Sequence, residues 1–142
     1  MNYLVKLSAL LVLVYSSSIL DSESKATIGV PCTNSNAFVI SSFNVNPWPP
    51  TAGQTSALNF TGVSQASMQI GTIGYSIQNQ NQMWYNEYQN VDQYYPASQN
   101  ATFTYTMKWP LFAGTYLFQM NMHSSPNTQV IYSCWSFFFD LY

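Results

Sequence analysis

Few side chains in this sequence could perform acid–base or nucleophilic chemistry. His123 is the only histidine, so a hydrolase triad or a metal cluster would depend on that one imidazole. Asp92 and Asp140 could orient it, but residues 26–142 have no Gly-x-Ser-x-Gly elbow, no His-Glu-x-x-His motif and no closely spaced carboxylates. His123 also falls where a strand is expected to enter a turn, an ordinary place for a solvated histidine. The sequence therefore predicts a protein that is not an enzyme and has no metal site and no cofactor.

The first residues predict an export signal. Lys6 precedes an apolar run from Leu7 to Tyr15, which small residues follow. That run is too short to span a bilayer. We expect residues 1–25 to be a signal peptide, cleaved between about residues 18 and 26, and residues 26–142 to form a single domain.

Export would allow two covalent modifications of this chain, disulfide formation and N-glycosylation. Cys32 and Cys134 are the only cysteines, and in an oxidising compartment they predict a disulfide, the alternative being two free thiols. Asn59 and Asn100 each begin an Asn-x-Thr sequon, so both are candidate glycosylation sites.

The charge balance excludes one class of partner. After residue 26 the sequence has Lys108 against Glu87, Asp92 and Asp140, with no arginine. Binding to a phosphate backbone requires several cationic side chains, so nucleic acid is excluded as a partner. Aromatic residues make up 17% of the chain and hydrophobic residues 47%, which a disordered chain does not have.

Alternation of apolar and polar residues recurs along the chain and predicts an all-β fold, an immunoglobulin-like β-sandwich of about seven strands. The clearest strands are Ala101–Trp109 and the one that follows the turn at Pro110 and Gly114. Because their connection is short, we expect a hairpin whose apolar stripes lie side by side on one inner face.

Three other segments carry expectations of their own. Bulk on both faces of Gln129–Leu141 predicts a strand covered on both sides. Within Ser64–Gln78 the apolar residues switch from even to odd positions, which requires one extra residue and predicts a β-bulge near Gly71. The polar and aromatic segment from Asn79 to Gln99 has no clear period, and we expect a functional loop there.

Several short motifs resemble those of the ML lipid-recognition domains, a family of secreted and lysosomal sandwiches that includes sterol- and phospholipid-transfer proteins. Lys108-Trp109-Pro110-Leu111, Gly114-x-Tyr116 and Cys134-Trp135-Ser136-Phe137 resemble its C-terminal half. Val39 to Val45, Pro47-x-Pro49 and Gly53-Gln54 are similar to its first strand and Pro-rich turn. The resemblance covers about residues 30 to 142 and implies the same Cys32–Cys134 disulfide. The family's common second disulfide is missing, since Tyr95-Pro96 stands where a Cys-Pro would be expected.

Methionines and aromatic residues at successive inward positions form a deformable wall that suits an apolar ligand, although a packed core is the ordinary outcome of such stripes. With the resemblance, they predict a secreted lipid-binding or lipid-transfer protein that holds a sterol or phospholipid between two sheets. The alternative is an adhesion or glycan-binding sandwich that uses exposed aromatic residues such as Trp48. The predicted lipid-binding residues are Phe103, Tyr105, Met107, Tyr116, Phe118, Met120 and Met122, with Leu111, Phe112, Trp84 and Tyr85 around the mouth.

The same reading predicts the surroundings of the protein. We expect a monomer that contacts membranes, or a membrane-bound lipid acceptor, transiently. Its location would be the extracellular space or the lumen of a lysosome or vacuole, reached through the secretory pathway.

Overall fold

The structure is a computed structural model that describes residues 27–35 and 37–142; the predicted signal peptide lies outside them. The described residues form eight β-strands, which confirms the all-β prediction. None of their segments is a helix long and apolar enough to cross a membrane. The strands are Val30–Pro31 (β1), Phe38–Asn46 (β2), Thr55–Ser64 (β3), Met68–Gln78 (β4), Trp84–Tyr95 (β5), Asn100–Lys108 (β6), Gly114–Ser124 (β7) and Ile131–Leu141 (β8).

The strands form two antiparallel sheets that pack face to face as a β-sandwich. The larger sheet has the order β1-β8-β7-β4-β5, and the smaller one has the order β2-β3-β6. Aromatic side chains fill the space between the sheets. Phe43 of the smaller sheet stacks on Phe60 and on Trp135, while Phe118 stacks on Phe137 with ring centroids 4.6 Å apart.

The predicted hairpin between the two clearest strands is wrong. β6 pairs with β3, whereas β7 lies between β8 and β4 in the other sheet. The short connection therefore crosses from one sheet to the other. Trp109 explains this. Its backbone N–H donates to the carbonyl of Gln54, just before β3 of the smaller sheet, while its indole packs on Phe118 and Phe139 of the larger one.

The segment expected to be a loop contains β5, a twelve-residue strand. It pairs with β4 and ends the larger sheet. Its side chains are mostly exposed on both faces, because the facing sheet has only three strands and leaves this edge largely uncovered. An alternating pattern cannot develop on such a strand, which is why the sequence did not reveal it. The bulge near Gly71 is confirmed by a register shift between Ile70 and Thr72.

The outer face of the last strand is uncovered in its C-terminal half, so the prediction that both faces are covered is wrong there; nearer its start, Cys134 is buried and Tyr132 half-buried on that face. Phe137 and Phe139 point into the core, but Phe138 is 72% exposed because nothing packs on the outer face of the larger sheet at that position. The predicted disulfide is confirmed: Cys32, just after β1, is bonded to Cys134 of β8.

Candidate ligand-binding groove

A groove of about 660 Å³ lies at one end of the sandwich. It forms where β5 and β6, the edge strands of the two sheets, leave the interior open, and where the β4–β5 and β6–β7 connections meet. Most of its lining is apolar, with a few amide and charged side chains among the aromatic ones. The lining residues are Ile77, Asn79, Trp84, Tyr85, Asn86, Glu87, Met107, Lys108, Trp109, Pro110, Leu111, Phe112 and Tyr116.

The floor of the groove is fixed by buried side chains with satisfied polar groups. The indole N–H of Trp109 donates to the Ser56 hydroxyl at 2.8 Å, and that hydroxyl donates to the carbonyl of Pro47 at 2.9 Å. Tyr116 stacks on Phe139, and its hydroxyl donates to the Phe112 carbonyl at 2.9 Å. These bonds hold both rings in one orientation, since a buried polar group left without a partner is costly.

The rim of the groove is apolar and solvent-exposed. Leu111 and Phe112, in the connection between the sheets, are 69% and 78% exposed. Trp84 and Tyr85, at the start of β5, are exposed on the other side of the opening. Gly53 lies beneath the rim, where an added Cβ would come within 2.8 Å of Leu111 Cδ2. Apolar side chains grouped around an opening are typical of an interaction site.

A pair of stacked tyrosines is linked to the groove through Glu87, which lines it. Tyr75 and Tyr105 stack with centroids 4.1 Å apart. The Tyr105 hydroxyl donates to Glu87 at 2.7 Å, and the Tyr75 hydroxyl donates to Gln89 at 2.7 Å. Gln89 in turn donates to the carbonyl of Thr104, so the set bridges β5 and β6.

The tyrosine pair has perturbed acid–base properties. Burial, the hydrogen bond to Glu87 and the negative charge of that carboxylate raise the pKa of Tyr105 to about 12. Burial, and then the neighbouring Tyr105, raise the pKa of Tyr75 as well. Both hydroxyls therefore stay protonated at physiological pH and act as hydrogen-bond donors.

The structure brings together six of the predicted lipid-binding residues. Met107 and Tyr116 lie at the floor, and Trp84, Tyr85, Leu111 and Phe112 lie at the rim. The groove does not extend to the other five. Phe103, Phe118, Met120 and Met122 are buried in the packed core, and Tyr105 belongs to the stacked pair. Whether any of these residues contacts a lipid stays a prediction.

The sequence did not point to several lining residues. Ile77 and Asn79 line the groove because β4 pairs with both β5 and β7. This pairing places the end of β4 beside the connection between β6 and β7. Glu87 had a signal that could have been used, since it is the first charged residue after Lys25 in a long uncharged stretch. Such an isolated carboxylate between aromatic residues indicates a specific partner, here Tyr105.

The remaining candidate residues lie away from the groove. His123 is on β7, and its Nδ1 lies 2.7 Å from the carbonyl oxygen of Thr128. Residues 27–35 and 37–142 contain no group of three His, Cys, Asp or Glu side chains that could hold a metal ion. Asn59 and Asn100 are both exposed, on adjacent strands of the smaller sheet, and their glycosylation stays a prediction.

Comparison with known proteins gives similarity at the level of structure. No protein-family model matches the sequence, and no curated protein matches it. A Niemann-Pick type C2 protein from the Japanese carpenter ant superposes with a TM-score of 0.60 over 81% of this chain and 99% of that one, at 7% identity. The chain shares its fold. The C-terminal domain of Wzt superposes with a TM-score of 0.62 over 75% of this chain and 74% of that one, at 12% identity. Spo0M from Bacillus subtilis gives a TM-score of 0.53 at 7% identity, over 74% of this chain and 49% of that one.

Proposed function

We propose that this protein is a lipid-binding protein and that the groove receives the apolar part of the lipid. The observation that carries the proposal is the opening itself, an apolar groove of about 660 Å³ with Leu111, Phe112, Trp84 and Tyr85 exposed around it. Ligand pockets in proteins span roughly 300–1,000 Å³ and combine mostly apolar walls with a few polar groups. The groove has both properties.

Burial of hydrocarbon alone would be enough to retain such a ligand. Each CH₂ group removed from water contributes roughly 0.8 kcal/mol, so ten of them contribute roughly 8 kcal/mol. Immobilising the ligand costs a part of this, on the order of several kcal/mol. No ion pair is needed, which fits a chain with so few charged residues.

Two further observations support the proposal. The fold is shared with a Niemann-Pick type C2 protein, and the motifs around Lys108-Trp109-Pro110-Leu111 resemble the ML lipid-recognition domains. On this basis the ligand is a sterol or a phospholipid, and the protein acts in the extracellular space or in a lysosomal or vacuolar lumen. The Cys32–Cys134 disulfide fits either of these compartments. Catalysis has no part in the proposal.

The end of the sandwich that contains the groove is also where a membrane would be contacted. The β2–β3, β4–β5 and β6–β7 connections and the C-terminus all lie at this end. It carries a group of exposed large apolar side chains, and a protein that exchanges lipid needs its opening to face the bilayer. These side chains are Trp48, Met83, Trp84, Tyr85, Leu111, Phe112, Phe138 and Tyr142.

Mass spectrometry of organic extracts tests the proposal. We expect the disulfide-bonded protein, purified after secretion from a eukaryotic host, to yield a sterol or phospholipid in a fixed molar ratio. The double variant Leu111→Asp/Phe112→Asp should yield much less, because it places two charges at the rim while leaving the core intact. Val130→Asp is the matched control, since Val130 is also exposed but lies at the opposite end of the sandwich.

Absence of lipid from the wild-type extract, together with failure to take up sterol or phospholipid from vesicles, would contradict the proposal. That result would favour the adhesion or glycan-binding alternative. Equal lipid content in the rim variant and the control would show that lipid is bound somewhere other than in the groove.

A further inference from the structure

The outer face of the larger sheet carries an aromatic ring that lies on a glycine. Tyr88 of β5 is paired with Gly74 of β4 and is 66% exposed. A Cβ built on Gly74 would lie 3.4 Å from Cε1 and 3.6 Å from Cδ1 of Tyr88. The ring therefore lies across the glycine, with one side on the sheet and the other open to solvent. A side chain larger than alanine at position 74 would lift it.

Uncharged hydrogen-bonding side chains surround this ring. The strand register places Asn121 beyond Gly74 in the same row. Residues paired across neighbouring strands form rows, and one further row lies on each side of the Tyr88 row. The side chains of these rows point outward, because the alternate residues of β4 and β7 are buried in the core. The second row is Asn86, Ser76, Gln119 and Ser136, and the third is Asn90, Thr72 and His123.

The three rows contain no Asp, Glu, Lys or Arg, and His123 is their only titratable side chain beside the ring. A phosphate chain or an acidic or basic peptide would lose hydration on this face without gaining an opposite charge. A neutral ligand with many hydroxyl groups would instead exchange its water for amide and hydroxyl partners. Its apolar C–H face would cover the open side of the Tyr88 ring. Those two properties together are the chemistry of a sugar ring.

We propose that this outer face binds a neutral saccharide chain, with a sugar ring stacked on Tyr88 and its hydroxyls bonded by the amides of Asn86 and Asn121. Trp84 lies on the same side of β5, four residues from Tyr88, which corresponds to about 13–14 Å along a strand. A chain of several sugars would reach from one ring to the other. The centre of this site lies outside the lipid groove, since Tyr88, Asn121 and Gly74 do not line it, whereas Asn86 and Trp84 border both. The two candidate glycosylation sites are on the other sheet and leave the face uncovered.

Calorimetric titration with neutral hexasaccharides of glucose, xylose, mannose and N-acetylglucosamine tests the proposal. We expect at least one of them to bind the wild-type protein, and Tyr88→Ala to bind it about tenfold more weakly, the size expected for loss of one stacked ring. Tyr88→Phe keeps the ring and should retain most of the affinity. Tyr94→Ala removes another exposed tyrosine of β5 outside these rows and should change nothing.

Lipid content measured on the same samples separates the two sites, because Tyr88→Ala should carry as much lipid as the wild type. Since Tyr88 is exposed, its truncation should not affect folding, and a thermal melt of each variant checks this. The saccharide proposal is overturned if none of the four hexasaccharides binds at millimolar concentration. It is overturned equally if Tyr88→Ala binds as well as the wild type.

Discussion

The hydroxyl of Tyr105 and the carboxylate of Glu87 meet between the edge strands of the two sheets. Their bond joins β6 to β5, two edge strands that no backbone pairing connects. Stacking of Tyr105 on Tyr75 continues the connection to β4. The side-chain connection between β5 and β6 thus depends on two protonated phenols.

Stability should consequently fall in strongly alkaline solution. A tyrosine has an ordinary pKa of about 10, and that of Tyr105 is raised to about 12, so the folded state favours the protonated form. Its contribution is complete below pH about 10 and is lost as the pH rises towards about 12. Urea unfolding across this range should show a smaller decline for Tyr105→Phe than for the wild type. Tyr94→Phe, at an exposed tyrosine of β5, is the control, and an identical decline in all three proteins would refute the role of Tyr105.

At this scale the sequence predicted the rim of the groove better than its walls. Leu111 and Phe112 could be identified because apolar side chains next to Pro110 in a turn have no core to enter. Ser56 could not, since its importance comes from Trp109, fifty-three residues away in the chain. Contacts between residues so far apart in the chain depend on the order of the strands in the sheets. A local sequence pattern does not determine that order.

Among the elements, β8 is tied covalently to the segment that follows β1. The Cys32–Cys134 bond closes a loop with a sequence separation of 102 residues. By the chain-entropy model, a loop of this length stabilises the fold by roughly 4–5 kcal/mol, because it restricts the unfolded chain. β1 itself contributes two residues to the sheet, so backbone pairing would not replace the bond.

Loss of the disulfide should therefore lower the melting temperature by many degrees. We expect Cys134→Ser and the double variant Cys32→Ser/Cys134→Ser to lose similar stability, since both remove the same constraint. Calorimetry of the three proteins measures it, and the double variant removes any effect of a leftover thiol. A melting temperature that is unchanged in both variants would show that the bond is dispensable.

Strand order is the level at which prediction from the sequence failed. Strands β6 and β7 alternate clearly, and their inward residues were identified, yet the partner of each strand was not. The reason lies in Trp109, which satisfies its backbone in one sheet and buries its ring against the other. β5 was missed for a different reason. It is an edge strand with mostly exposed side chains on both faces, so its sequence shows no alternation of apolar and polar residues.

For the molecule as a whole, the fold class followed from composition and alternation, whereas the proposed binding surfaces lie where the sandwich is incomplete. The groove is the gap at the end of two unequal sheets, and Tyr88 lies on a face that no other layer covers. The candidate glycosylation sites lie on the remaining outer face.

The unequal sheets also have a consequence for solubility. β5 and β6 end the sheets with unpaired backbone groups, which can pair with the edge of another copy and start aggregation. Glu87 and Asp92 are on β5 and Lys108 is on β6, so three of the four Asp, Glu and Lys side chains after residue 26 lie on these two strands. Charges placed there oppose strand-by-strand association at little cost elsewhere.

Asp92 gives the clearest test, because it occupies a positive-φ position on β5 that asparagine also tolerates. We expect Asp92→Asn to unfold at the same urea concentration as the wild type and yet to aggregate faster near neutral pH, as followed by light scattering. Asp140→Asn makes the same change of charge on β8, away from β5 and β6, and should aggregate more slowly than Asp92→Asn. Equal rates for the two variants would mean that net charge alone keeps the protein in solution. Slower aggregation of Asp140→Asn would instead mean that the open side of the sandwich, where the groove lies, is also the side on which charge keeps the chain from polymerising with itself.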